Sequence, residues 1–187
     1  MKKTTGFLVF LSAGTIAGMA LAMAAPATRG APPRNVTPAD SQTCLLDDKA
    51  IALDIIAACT RLIESASARD NAFGISDAYN ERGRAKAGLK RMAEALEDFN
   101  TALKLDPDNG DAHFNRGTVY FEQKKYDLAL KDFDAAVADN PDDPALVFNR
   151  GLTKYRLGNK TGAAKDFDAA ETLDPRYGFA RERIEKP

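Results

Sequence analysis

The residue types that carry most protein chemistry are sparse in this chain of 187 residues: one histidine, His113, two cysteines, Cys44 and Cys59, and no tryptophan. A Ser-His-Asp triad or a multi-histidine metal site would have to be assembled around that single ring. His113 has neither a cysteine nor a second histidine at ligand spacing, so no metal site is expected there. Glycine-rich phosphate loops, a GxSxG elbow and paired carboxylates in a catalytic setting are missing. No catalytic residue and no cofactor is therefore expected. The charges nearly cancel, 26 Lys+Arg against 27 Asp+Glu. That balance gives no reason to expect a nucleic acid, whose phosphates select a basic face. A hydrophobic content of 44% and a charged content of 28% suit an ordinary soluble domain and exclude a disordered or polytopic membrane chain.

The first residues read as an address. Met1-Lys2-Lys3 is a short basic start, Gly6 to Ala25 is mostly apolar, and Ala22-Met23-Ala24 offers the small-x-small pattern of a signal-peptidase site. Residues 1–24 are expected to be a signal peptide that exports the chain to the periplasm or beyond, with no membrane insertion after cleavage. An uncleaved anchor in the inner membrane is the alternative, weakened by Ser12, Gly14, Thr15 and Gly18 within the apolar run. Residues 25–43 hold Pro26, Pro32, Pro33 and Pro38, too many for a helix or central strand, and read as a linker.

An oxidising destination gives the two cysteines a meaning. On one continuous helix their separation of 15 residues would place them about 22 Å apart, beyond bonding reach. Leu46-Asp47-Asp48 breaks the helical pattern between them, however, and a chain folding back there brings Cys44 beside the helix that carries Cys59. A disulfide stapling this segment is the favoured reading, and two free thiols, one buried, the alternative. Redox catalysis would want a CxxC pair and a flanking histidine, which are absent.

The elements that must position everything else follow a fixed period. Gly83, Gly117 and Gly151 are 34 residues apart, and so are Ala95, Ala129 and Ala163; Phe99, Phe133 and Phe167; Ala102, Ala136 and Ala170; and Pro107, Pro141 and Pro175. Such a period marks a solenoid. Each unit predicts two helices: 77–90, 111–124 and 145–158 first, then 93–105, 127–139 and 161–173. Asp77 and Asp111 stand at or near the starts of their helices, and Pro144 suits a first helical turn. The glycine and alanine let two antiparallel backbones approach while the phenylalanine fills the gap between units. Arg82, Arg116 and Arg150 precede Asp98, Asp132 and Asp166 by 16 residues in every unit. A charge that recurs with its counter-charge is expected to be scaffold, not a ladder for anionic ligands.

A 34-residue helix–turn–helix with Gly, Ala, Phe, Ala and Pro at these offsets resembles the tetratricopeptide repeat family. The resemblance implies an all-α, right-handed superhelical solenoid of antiparallel helix pairs, with repeats at 76–109, 110–143 and 144–177. Residues 44–75 form a degenerate leading repeat, in which Ile55–Ile63 overlays Ala95–Leu103 and Cys59 takes the place of phenylalanine, and residues 178–187 are a charged terminal cap. Ala58-Cys59-Thr60-Arg61 ahead of the Asn-Arg-Gly runs is similar to small exported tetratricopeptide proteins of alphaproteobacteria. Two positions depart from the family pattern. The aromatic late in the first helix is Tyr120 in repeat two but Lys86 and Lys154 in the others, and the inter-helix glycine is Gly158 in repeat three but Lys90 and Lys124 in the others.

In this family the first helices line a concave groove. By matching positions the groove residues are Asn80, Glu81 and Arg84 in repeat one; Phe114, Asn115, Thr118, Phe121 and Glu122 in repeat two; and Phe148, Asn149, Leu152, Tyr155 and Arg156 in repeat three. The asparagines are expected to hydrogen-bond an extended peptide backbone and the aromatics to offer apolar pockets. Asp77, Asp111 and Ala145 stand where a terminal-carboxylate clamp would want cations, so that clamp is absent. The expected role is a non-catalytic scaffold that binds a protein or peptide. A fixed subunit of an envelope complex is the alternative, and a small-molecule-binding protein a more distant one.

Overall fold

The computed structural model describes residues 48–65 and 72–178. The expected signal segment, the proline-rich linker, Cys44 and the cap beyond Gly178 lie outside them. Among the described residues seven helices follow in order: α1 (Asp48–Ser65), α2 (Ala72–Gly88), α3 (Met92–Leu105), α4 (Gly110–Glu122), α5 (Tyr126–Asp139), α6 (Pro144–Arg156) and α7 (Lys160–Leu173), then a 3-10 turn at Pro175–Tyr177. From α2 onward the connections are three or four residues long, which forces neighbours to run antiparallel. The helices pack as pairs α2–α3, α4–α5 and α6–α7. The pairs stack through α3 on α4 and α5 on α6, and α1 lies on α2. The result is an all-α solenoid of antiparallel helix pairs.

The turn within each pair has the same hydrogen-bond pattern. Lys90, Lys124 and Gly158 all adopt a left-handed conformation, with φ of 62°, 60° and 83°. The amide of Lys90 donates to the Ala87 carbonyl and that of Arg91 to Lys86, at 2.9 and 3.0 Å, and the other two turns repeat both bonds. This is the Schellman arrangement, which satisfies the last carbonyls of the first helix. The two lysines adopt the geometry that the period predicts for glycine.

Between pairs, the amides of Asp106, Asn140 and Asp174 still bond back to Ala102, Ala136 and Ala170, and the following proline ends the helix. The sequence expectation holds for Asp111 and Pro144, both in first turns, and fails for Asp77. Asn109 caps α4 by accepting from the Ala112 amide at 2.9 Å, Asp143 caps α6 through Ala145, and Asn159 caps α7 through Gly162. Asp111 falls in the first turn of α4. Asp77 is no cap at all, because α2 begins at Ala72, five residues early. The reason is local: proline precedes α4 and α6 by a few residues, and 72–76 contains none.

The small-residue stripe acts as the period implies. Ala95, Ala129, Ala163, Phe99 and Phe133 are fully buried. A Cβ added to Gly83 would lie 2.7 Å from Cε1 of Phe99; on Gly117 it would lie 3.1 Å from both Phe133 and the Asp132 Cβ. Each first helix therefore lies so close to its second helix that a side chain on the glycine would force its neighbours to shift, most of all at Gly83. Cys59 lies half-buried on α1 and has no disulfide partner among the described residues. Its expected partner Cys44 is outside the described residues. Among the described residues no helix is long and apolar enough to cross a membrane.

Candidate functional site

Each repeat is held by a buried carboxylate on its second helix. Arg82 donates to Asp98 through Nε and Nη2 at 3.0 and 2.7 Å, Arg116 to Asp132 at 2.9 and 2.7 Å, and Arg150 to Asp166 at 3.0 and 2.7 Å. This is the planar fork that guanidinium offers a carboxylate. A second cation joins two of the three: Lys86 lies 2.7 Å from Asp98 and Lys154 2.8 Å from Asp166. The sequence shows these lysines only as departures from an aromatic position; their ionic role emerges from the fold. The arginine ladder is thus engaged within the scaffold.

The expected groove residues divide sharply. Phe114 is turned onto Phe133 with ring centroids 5.8 Å apart, and Phe148 packs between Phe167 and Tyr177 at 5.5 and 5.3 Å. Phe121 lies edge-on to Tyr126, and Leu152 is buried in the same core. Thr118 is fully buried, its hydroxyl donating to the Phe114 carbonyl. These side chains fill the interior of repeats two and three and do not line open apolar pockets. Asn80 and Asn115 are buried too and bond each other across the repeat boundary, with Asn115 Nδ2 donating to Asn80 Oδ1 at 2.9 Å. Asn149 donates to the Ala145 carbonyl at 2.8 Å, while its Oδ1 is buried with no hydrogen-bond partner. Such an orphaned acceptor is uncommon.

The remaining members are accessible. Arg84 and Glu81 pair with each other at 2.6 Å and stay roughly two-fifths exposed. Tyr155 is half-buried, and Glu122 and Arg156 are exposed. The first helices α2, α4 and α6 therefore offer a mixed-charge line, with one aromatic ring in repeat three, over a buried asparagine layer.

At the junction of repeats one and two, Asn109 Nδ2 donates to the Ser76 hydroxyl and to Asp77, at 3.0 and 3.1 Å. Burial pushes the Asp77 carboxyl above its ordinary range, and the Asn109 bond opposes this. Burial also works against the charge of Asp132, but hydrogen bonds from Arg116 and His113 outweigh it and hold the carboxyl low. His113 borders an open pocket of about 420 Å³ with Pro107, Asp108, Ala135, Ala138 and Asp139. Among the described residues no group of three or more His, Cys, Asp or Glu is placed to hold a metal ion.

With this geometry established, comparison with known proteins is informative. A family model described as tetratricopeptide repeat matches residues 80–144 and, overlapping, 114–177, together more than half of the chain. Curated proteins return no match. Solved structures are similar in fold. The tetratricopeptide domain of Arabidopsis OM64 is 24% identical with a TM-score of 0.58, covering 62% of this chain and 98% of that domain. The first such domain of Spaghetti (RPAP3), bound to an HSP90 peptide, is 24% identical with a TM-score of 0.57, covering 63% of this chain and 94% of that one. YrrB, a repeat protein with an unusual peptide-binding site, is 19% identical with a TM-score of 0.59, covering 72% of this chain and 68% of its own. At these identities the likeness is one of fold.

Proposed function

Since this chain belongs to the tetratricopeptide repeat family, whose domains are protein-interaction scaffolds, we propose that it is a non-catalytic scaffold holding a protein or peptide partner along α2, α4 and α6. The observation that carries this reading is the division of that face. Its asparagines and phenylalanines are committed to a rigid interior, while Glu81, Arg84, Glu122, Tyr155 and Arg156 remain accessible. A stacked array presents such a surface without needing to reorganise, which lowers the entropy loss on binding. Peptide capture by the Spaghetti domain, and the peptide site of YrrB, support the same use of the fold.

We also propose that the array works outside the cytoplasm, in the periplasm or secreted. The basic start, apolar run and Ala22-Met23-Ala24 support export, as does the resemblance to exported alphaproteobacterial repeat proteins. Purified from its host, the mature chain should begin at Ala25. A start at Met1 would leave the array tethered to the inner membrane. Export brings the proposed Cys44–Cys59 disulfide with it. Thiol titration of the denatured mature protein should then count two thiols only after reduction, and two without reduction would dismiss the bond.

A photo-crosslinking side chain at Tyr155, compared with one at Asn100 on α3, tests the binding face. Adducts from position 155 alone support the reading. Adducts from position 100 alone would favour a fixed subunit that packs through its outer surface.

A further inference from the structure

Repeat two completes its buried carboxylate differently from its neighbours. Asp98 and Asp166 each receive an arginine and a lysine, Lys86 or Lys154. One period from either lysine stands Tyr120, which has no cation to give. The second cation on Asp132 comes instead from His113, two turns earlier on α4, whose Nδ1 lies 3.0 Å from Asp132 Oδ1. Its other nitrogen, Nε2, lies 3.0 Å from the carbonyl oxygen of Pro107 in the turn between repeats. Both partners are acceptors. A carbonyl has no proton to donate, and Asp132, doubly bonded by Arg116, is held ionised. Only a ring carrying N–H on both nitrogens satisfies the two contacts; a neutral ring leaves one lone pair facing another.

We propose that His113 is a pH-dependent latch. As imidazolium it takes the lysine's place on Asp132 and pins the Pro107 turn to α4, fastening repeat one to repeat two; on losing its proton it releases that turn. The charged surroundings are mixed. Asp132 on α5 faces the ring directly, Asp108 in the turn and Asp139 on α5 line the same pocket, and Arg116 one turn along α4 opposes the ring's charge. Arg116 is occupied by Asp132 and, through Nη1, by Asn100 on α3. The balance favours the cation: the Asp132 hydrogen bond raises the pKa of His113 above 6.5, against the opposing effect of burial.

A pKa raised in the folded state contributes stability in full below about 6.5, and that stability is lost as pH rises through the folded value. Among the described residues the other displaced groups are carboxyls at the acid end, and Cys59, Tyr177 and the arginines at the alkaline end. The window between about pH 6 and about pH 8 therefore isolates His113. The same boundary carries the Asn115–Asn80 and Asn109–Ser76 bonds. Release would thus loosen the register between α2 and α4 on the proposed binding face.

The sole histidine makes the test direct. In the full chain, its ring resonances followed by NMR should titrate above the ordinary value of 6.5. Amide exchange in the 106–109 turn, corrected for intrinsic rates, should quicken several-fold from about pH 6 to about pH 8, while the matching 140–143 turn stays constant. Tyr120→Lys, which restores the lysine of the other repeats, should lower the histidine pKa and abolish the difference between turns. Titration at or below the ordinary value, or equal behaviour of both turns in the wild-type chain, would overturn the latch.

Discussion

The Arg82 guanidinium donates through Nη1 to the hydroxyl of Thr60 on α1, at 3.2 Å, while its other nitrogens hold Asp98 within its own repeat. Arg116 does the same with Asn100 on α3 at 2.8 Å, and Arg150 approaches Asp134 on α5 at 3.7 Å. One arginine per repeat therefore ties its own helix pair together and reaches back to the preceding second helix. Thr60 occupies on α1 the place of Asn100 and Asp134, so α1 stands to α2 as a second helix stands to the next repeat. None of its described side chains is fully buried.

Arg116→Ala should destabilise the array by about 1–3 kcal/mol, because it leaves the buried Asp132 carboxylate short of its strongest donors. Arg116→Lys should recover only part of this, since an ammonium cannot form the fork. Denaturant melts of the two variants measure both effects.

The glycines should respond in opposite directions. Gly83→Ala places a methyl 2.7 Å from the fully buried Phe99 ring and should destabilise by about 1–3 kcal/mol despite alanine's better helix propensity. Gly88→Ala, whose Cβ would meet nothing within 4 Å, should be neutral or stabilise by up to about 1 kcal/mol. Equal thermal shifts for the two would contradict the close-approach account.

At the turns within pairs, Lys90→Gly and Lys124→Gly should each stabilise by about 1 kcal/mol by relieving a left-handed conformation that glycine adopts freely. The ion pair lost with Lys90 spans 3.8 Å with its ammonium end largely in water and offsets little of this gain. Gly158→Ala should destabilise by a similar amount, readable as a lower melting temperature.

The two asparagines should separate structure from binding. Asn115→Ala removes the donor from Asn80 inside the core and should cost about 1–3 kcal/mol of stability. Asn149→Ala gives up one bond to Ala145 but also removes an acceptor already unsatisfied, so its stability loss should be smaller. Because both asparagines are buried beneath the accessible line, neither change should weaken partner capture by more than its stability loss explains.

Much of the scaffold was legible because its physics is periodic. Gly83 against Phe99, and Arg82 with Asp98, follow from positions that recur every 34 residues and have complementary size or charge. The start of α2 was not legible, since nothing in 66–76 repeats and no proline marks the boundary. Assigning Phe114 and Phe148 to a groove failed for a directional reason. Lying on a first helix says which element carries the ring, but the side chain leans over the preceding turn and each ring meets its own repeat's second helix. The role of His113 depends on two contacts closed only in three dimensions, at Asp132 and Pro107, together with the lysine missing at Tyr120. The accessible members, Arg84, Tyr155 and Arg156, were named from the sequence, though nothing in the pattern separated them from their buried neighbours.

The central claim is that a partner is held on the first-helix face, and crosslinked co-purification from the envelope fraction tests it most directly. The wild-type chain is compared with Arg84→Ala/Glu122→Ala/Arg156→Ala, three changes at accessible positions that should leave helicity and melting nearly unchanged. The account predicts a protein or peptide recovered with the wild type and lost from the variant. Recovery of the same partner with both would contradict it and place the contact on another surface of the array.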